Sequence, residues 1–223
     1  MAKYLNTDLI FKNRTQAGET LAEKLIEYKL ENPFIIALPR GGVPVAKPIA
    51  ERLNAKLDIM VSKKIGAPNN PELAIGAVTS HGDYVISPYY DMELGDKKWD
   101  YLQKQIVYMI NDCREKEQKY ISCKGVPVER PKHENANIII VDDGTATGMT
   151  AIAAIKSIKK QNPKSIILAI PVISNEAYEE IKEMIDKIET LKIPKEFIAV
   201  GVHYQDFHAV SDEEIRAILA KAS

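Results

Sequence analysis

The sequence is short of cysteine, of surplus charge and of long apolar runs. Only Cys113 and Cys123 occur among its 223 residues. A disulfide scaffold carries more cysteines in a shorter chain, and a zinc site wants more Cys or His at close spacing. The histidines, His81, His133, His203 and His208, are scattered. The cysteines therefore read as free thiols in a reducing compartment. The formal net charge is -1. Nucleic-acid binders usually show an excess of Lys and Arg, so no nucleic-acid partner is expected. No run of about 18 apolar residues is present, so no membrane span is expected. Met1 to Asn6 lacks the apolar core of a signal peptide. These absences point to the cytoplasm.

What is present suits one globular domain over 1–223, with an insertion at about 80–136. Arg14 to Leu30 reads as a helix, with Leu21, Leu25 and Tyr28 at helical spacing. Phe34 to Leu38 is a short apolar run between prolines and suits a strand buried on both faces. Arg40-Gly41-Gly42 then leads into a helical stretch to about Leu53. Pro44 fits a first turn, but Pro48 predicts a kink or a late start. Leu57 to Val61 is a second strand, and Ser62 to Glu72 a polar loop. Leu73 to Thr79 and Tyr84 to Ile86 form a ribbon around His81-Gly82-Asp83.

Gly95 to about Tyr120 is a long amphipathic helix. Its stripe of Trp99, Leu102, Ile106, Met109, Ile110 and Cys113 marks a packing face or a homodimer surface. Lys124 to Asn137 is polar and irregular. A βαβ unit follows, with strands at Asn137–Val141 and Ser165–Ile170 around a helix at Gly148–Lys160. Ser174 opens another helix, Ile198 to Val202 reads as a strand, and Ser211 to Glu214 is a capping box. The alternation predicts an α/β fold with a doubly wound, mainly parallel sheet. Binding loops then lie at the carboxyl ends of its strands.

The segment Ile138-Ile139-Ile140-Val141-Asp142-Asp143-Gly144-Thr145-Ala146-Thr147-Gly148-Met149-Thr150 carries the chemistry. A buried strand delivers two adjacent acids, and a loop of small residues leads into a helix. The first turn of a helix leaves backbone N–H groups unpaired, and its dipole favours an anion. Small residues let a phosphate approach that backbone. Thr145, Thr147 and Thr150 add hydroxyls. Two carboxylates repel a phosphate, so they suit vicinal sugar hydroxyls or a cation. Residue type and order thus imply a phosphorylated sugar and Mg²⁺. The loop has no Gly-Lys-Ser/Thr ending, so it is not a P-loop, and no Gly-x-Gly-x-x-Gly supports a dinucleotide site.

This segment resembles the phosphoribosyl pyrophosphate (PRPP) motif of the type I phosphoribosyltransferases. The resemblance extends to Arg40-Gly41-Gly42-Val43-Pro44-Val45-Ala46, to Lys63-Lys64-Ile65-Gly66-Ala67-Pro68 and to Asn70 through Ala77. These stretches are similar to a subgroup of phosphoribosyltransferases of bacteria and archaea whose acceptor is unassigned. By this resemblance Asp142 and Asp143 hold the ribose hydroxyls, and Gly144, Thr145, Ala146, Thr147, Gly148 and Thr150 hold the 5-phosphate. Arg40, Gly41, Gly42, Lys63 and Lys64 meet the pyrophosphate. Asp142, Asp143, Lys64 and Arg40 are the residues implied in catalysis. Ile65 to Glu72 resembles the mobile loop that closes over the donor.

The implied reaction transfers 5-phosphoribose to a small-molecule nitrogenous acceptor and releases pyrophosphate. Mg²⁺ is held by Asp142 and Asp143, partly through water. A non-catalytic PRPP-binding regulator and a hydrolase on the same site are the alternatives. The 6-oxopurine members carry a third acid where this chain has Ala146, and a lysine where it has Pro171-Val172-Ile173-Ser174. Hypoxanthine and guanine are therefore disfavoured. The stretch at about 193–210 is a candidate hood over the acceptor, with Phe197, Tyr204 or Phe207 available to stack on a flat ring.

Overall fold

A computed structural model of the chain describes residues 4–26, 33–67, 70–87, 96–122 and 133–221. Its central sheet has five strands: β1 (Pro33–Ala37), β2 (Lys56–Ile59), β6 (Asn137–Val141), β7 (Ser165–Val172) and β8 (Lys187–Lys192). Their order is β2-β1-β6-β7-β8, and every pairing is parallel. β6 lies in the middle, which is why its sequence is continuously apolar rather than alternating. Ile138 and Ile140 feed the core on one face of the sheet, and Ile139 and Val141 feed the core on the other.

The helices divide between the faces accordingly. α1 (Arg14–Leu25) and α2 (Gly42–Leu53) share the core of Ile139 and Val141. α4 (Met149–Lys159) and α5 (Asn175–Ile181) share the core of Ile138 and Ile140. The chain therefore leaves β1 toward one face and β6 toward the other. Between these two neighbouring strands the winding direction reverses, and a crevice opens at their carboxyl ends.

A second, antiparallel sheet holds β3 (Ser62–Ala67), β4 (Asn70–Thr79) and β5 (Tyr84–Ile86). The long helix α3 (Asp96–Ile121) packs against β3, β4 and the final helix α6 (Asp212–Lys221). Leu102, Ile106, Ile110 and Cys113 of its stripe are buried, and Trp99 and Met109 pack partly buried on the same core. The stripe is thus a packing face within the chain. The expected homodimer needs another surface.

Four expectations change. Ser62 to Ala67 is a strand rather than a loop, because Ile65 and Ala67 find buried places while Lys64 faces solvent. α2 starts at Gly42 and runs through Pro48. Its ring rests on α1 at Gly18, where a Cβ would lie 2.7 Å from Pro48 Cγ, so the close packing of the two helices accommodates it. Ile198 to Val202 is not a strand; Val200–His203 is a 3₁₀ turn. The fifth strand is instead β8, whose polar residues are absorbed by partners. Lys24 reaches Glu189 at 3.4 Å, and Lys192 Nζ donates to the Leu9 carbonyl at 2.6 Å. The first helix is described as far as Leu25 and its cap Ile26. Tyr28, Leu30 and most of the stretch from Lys124 lie outside the described residues.

Candidate functional site

Asp142 and Asp143 leave the end of β6 and face the loop that follows β1. A Cβ at Gly42 would stand 2.5 Å from the Val141 carbonyl oxygen and 3.1 Å from Asp142 Cα. One at Gly41 would stand 1.9 Å from Asp143 Oδ2. The two glycines expected at a pyrophosphate are therefore also what lets this loop lie against the acids. The Pro39–Arg40 peptide in it is cis.

The carboxylates differ in their partners. Asp143 Oδ2 receives Arg14 Nε at 2.7 Å, and its backbone oxygen receives the Tyr204 hydroxyl at 2.6 Å. Asp142 Oδ1 accepts the N–H of Asp143 at 2.9 Å. Burial, then the neighbouring Asp143, pushes the Asp142 carboxyl well above the usual carboxylate range; Lys64 and Arg14 oppose that rise. Burial also raises Asp143, with Arg14 opposing it. Burial thus disfavours the charge on both carboxyls, Asp143 keeps the Arg14 ion pair, and a cation or hydroxyl donors would favour the charged forms.

The loop after the acids is held from β7 and α5. Thr145 N donates to Val172 O at 3.1 Å, and Ser174 N donates to Thr145 O at 3.0 Å. Ser174 Oγ donates to the Ala146 carbonyl at 2.5 Å. Thr145 is buried, and its Oγ1 accepts the Gly148 N–H at 2.9 Å. Gly148 has φ +71°, a backbone that favours glycine, and Gly144 fits beneath Val200 and Val172. Thr147 is exposed and Thr150 half-buried in the first turn of α4.

Both helices that start at the crevice lack a side-chain cap. Neither α2, preceded by Gly41, nor α4, preceded by Gly148, has one, and neither carries an acid in its first turn. By contrast Asn13 caps α1, Ser174 caps α5 and Ser211 Oγ accepts the Glu214 N–H of α6. The first-turn N–H groups of α4 are thus available to an anion, whereas in α2 Gly42 N and Val43 N donate to the Leu38 and Arg40 carbonyls and Pro44 has no N–H.

Two of the remaining candidates, Arg40 and Lys63, are engaged elsewhere. Arg40 Nη1 lies 3.9 Å from Asp212 Oδ1, which also receives the Tyr120 hydroxyl at 2.9 Å. Lys63 pairs with Asp112 of α3. Lys64 is exposed, near enough for its charge to act on Asp142. Tyr204 is buried and stacks on Phe207 at 5.1 Å, so it supports the site rather than offering a free ring. Phe197 lies 5.5 Å from the His203 ring. The 193–210 stretch is joined by N-terminal residues: Leu5 bridges Ile193, and Phe11 bridges Tyr204. Arg14 and this N-terminal segment were not visible as site elements, since their partners lie far along the chain.

The model of the phosphoribosyl transferase domain family matches residues 7–206. The chain belongs to this family. Two Mycobacterium tuberculosis proteins, of strains CDC 1551 and H37Rv, provisionally named as phosphoribosyl transferases, are each 32% identical over 215 residues. The match covers 96% of this chain but 47% of theirs, so this phosphoribosyl transferase domain spans about half the length of those curated relatives. The crystal structure of TT1426 from Thermus thermophilus superposes with a TM-score of 0.80 at 36% identity, covering 96% of this chain and 100% of that one. The parallel sheet flanked by helices is the type I phosphoribosyltransferase fold. Among the described residues, no helix is long and apolar enough to cross a membrane.

Proposed function

We propose that this chain transfers 5-phosphoribose from PRPP to a nitrogenous small molecule and releases pyrophosphate. The observation that carries this reading is the uncapped start of α4 directly after Asp142 and Asp143, at the winding reversal and against the Gly41-Gly42 loop. The α4 start and Thr147 would take the 5-phosphate, the acids the ribose hydroxyls, and the Gly41-Gly42 loop with Lys64 the pyrophosphate. The acceptor nitrogen forms a bond to C1 of the ribose as the bond from C1 to the pyrophosphate oxygen breaks. The nitrogen then loses its proton to the released pyrophosphate or to water. Positioning of the two reactants and stabilisation of the departing charge supply most of the acceleration.

The residues present fit Mg²⁺. Asp142 and Asp143 are adjacent carboxyl oxygen donors at the end of β6, and the substrate's own oxygens and water would complete a shell. When bound, Mg²⁺ would neutralise charge on the leaving pyrophosphate. We infer that the 193–210 stretch, with residues 5–12, covers the acceptor. A cytoplasmic role in nucleotide metabolism accords with this chemistry.

Calorimetric titration with PRPP and Mg²⁺, followed by a panel of bases assayed for pyrophosphate release, tests the proposal. Binding with turnover on one base supports it and names the acceptor. Binding without turnover on any base favours a PRPP sensor. Release of pyrophosphate without a base favours a hydrolase, and absence of binding refutes the donor assignment.

A further inference from the structure

We infer that Arg14 is the positioning residue of the ribose site, fixing Asp143 and tying it to the segment over the acceptor. This rests on the phosphoribosyl reading above and extends it to a residue outside the motif. Arg14 opens α1 and is 8% exposed. Its guanidinium is engaged on three sides. Nε donates to Asp143 Oδ2 at 2.7 Å, Nη1 donates to the His208 carbonyl at 2.8 Å, and the Phe207 ring centroid lies 3.8 Å from Cζ. A planar, forked cation can satisfy a carboxylate, a carbonyl and a ring face together, which a point-charge ammonium cannot.

These contacts close a circuit. The Asp143 backbone receives the Tyr204 hydroxyl, Tyr204 stacks on Phe207, Phe207 carries the Arg14 guanidinium, and Arg14 returns to the Asp143 carboxylate. Gly41 also lies against that carboxylate, since a Cβ there would stand 1.9 Å from Oδ2. The orientation of Asp143 is thus held by a residue of α1 and by the segment over the acceptor. Arg14 acts through Asp143 rather than by touching substrate. Loss of the guanidinium would free the carboxylate and detach Phe207 and His208 from the acid.

A double-mutant cycle tests this. The dissociation constant of PRPP with Mg²⁺ is measured for the full chain, R14M, D143N and R14M/D143N, with thermal unfolding in parallel. R14M is expected to weaken binding by about tenfold or more. In the D143N background the same change is expected to alter affinity by less than about twofold. R14K, which keeps the charge, is expected to bind more tightly than R14M. If R14M does not fold, R14K and R14K/D143N supply the cycle, with a smaller loss that again vanishes in the D143N background. Equal losses from removing Arg14 in both backgrounds, or wild-type affinity in R14M, would overturn the inference while leaving the phosphoribosyl reading intact. A wild-type chain that does not bind PRPP overturns both.

Discussion

Gly41 leaves the space that the carboxylate of Asp143 occupies: a Cβ there would stand 1.9 Å from Oδ2. The backbone at Gly41 has φ -65° and ψ -33°, which any residue adopts. Gly41→Ala therefore costs nothing in backbone conformation, and its whole effect falls on the acid. The variant is expected to fold and to lose about tenfold in PRPP affinity, by displacing one charged hydrogen bond. Introducing the same change into Asp143→Ala, where the carboxylate is gone, should have little further effect. Calorimetry on the four proteins checks this; an undiminished affinity in Gly41→Ala refutes it.

Asp142→Asn should trade ligand binding for stability. Burial and then Asp143 raise the Asp142 carboxyl in the folded chain. An acid raised on folding contributes stability that is full below its unfolded pKa and lost as pH rises through the folded one. At neutral pH the ligand-free Asn variant should therefore melt at a higher temperature than wild type. The gap should narrow toward acid pH, and PRPP affinity should fall by about tenfold or more. Melting curves across pH would refute this if the variant were no more stable at pH 7.

Two threonines of the same loop should separate by effect. Thr145 Oγ1 holds the Gly148 N–H at 2.9 Å in a buried position, so Thr145→Val leaves that donor unpaired. The expected loss is about 1–3 kcal/mol of stability, or roughly 2–4 °C of melting temperature per kcal/mol. Thr147 is exposed, so Thr147→Ala should melt as wild type while binding PRPP roughly three- to tenfold more weakly. Reversal of the two phenotypes would refute this division.

Glu117 should impose a pH dependence of its own on stability. Its carboxylate accepts the Val61 N–H at 2.9 Å and the Ser80 hydroxyl, and burial pushes its pKa from 4.5 up to about 7. The unfolded chain ionises first as pH rises. Stability from this group is therefore full below about pH 4.5 and lost toward pH 7, by on the order of 3 kcal/mol. Denaturant titrations should show Glu117→Gln without that decline. An identical decline in the variant would assign it to other groups.

The crevice was legible because its signals are local. The apolar run of β6, the two acids and the small-residue loop are contiguous, and they stand in strand, loop and helix as expected. β8 was hidden because Lys187, Glu189 and Lys192 interrupt its apolar pattern, and only tertiary partners such as Lys24 and the Leu9 carbonyl make burial of Glu189 and Lys192 tolerable. Ser62 to Ala67 looked like a loop because its two lysines masked the alternation of a strand. Arg14 carries no local signature at all. Its partners Asp143 and His208 are 129 and 194 residues away, and a single sequence holds no trace of such pairings.

The two-sided burial of β6 leaves packing blind to parity. Ile138, Ile139 and Ile140 would suit either core equally well, so hydrophobicity alone would tolerate sliding this strand by one residue. Such a slip would exchange the sides of Asp142 and Asp143. The odd-numbered positions Ile139 and Val141 face the core of α1, and Arg14 stands on α1 to meet Asp143. That long-range ion pair is thus a key that fits one phase of the strand, and it makes the order of the two acids a property of the folded chain.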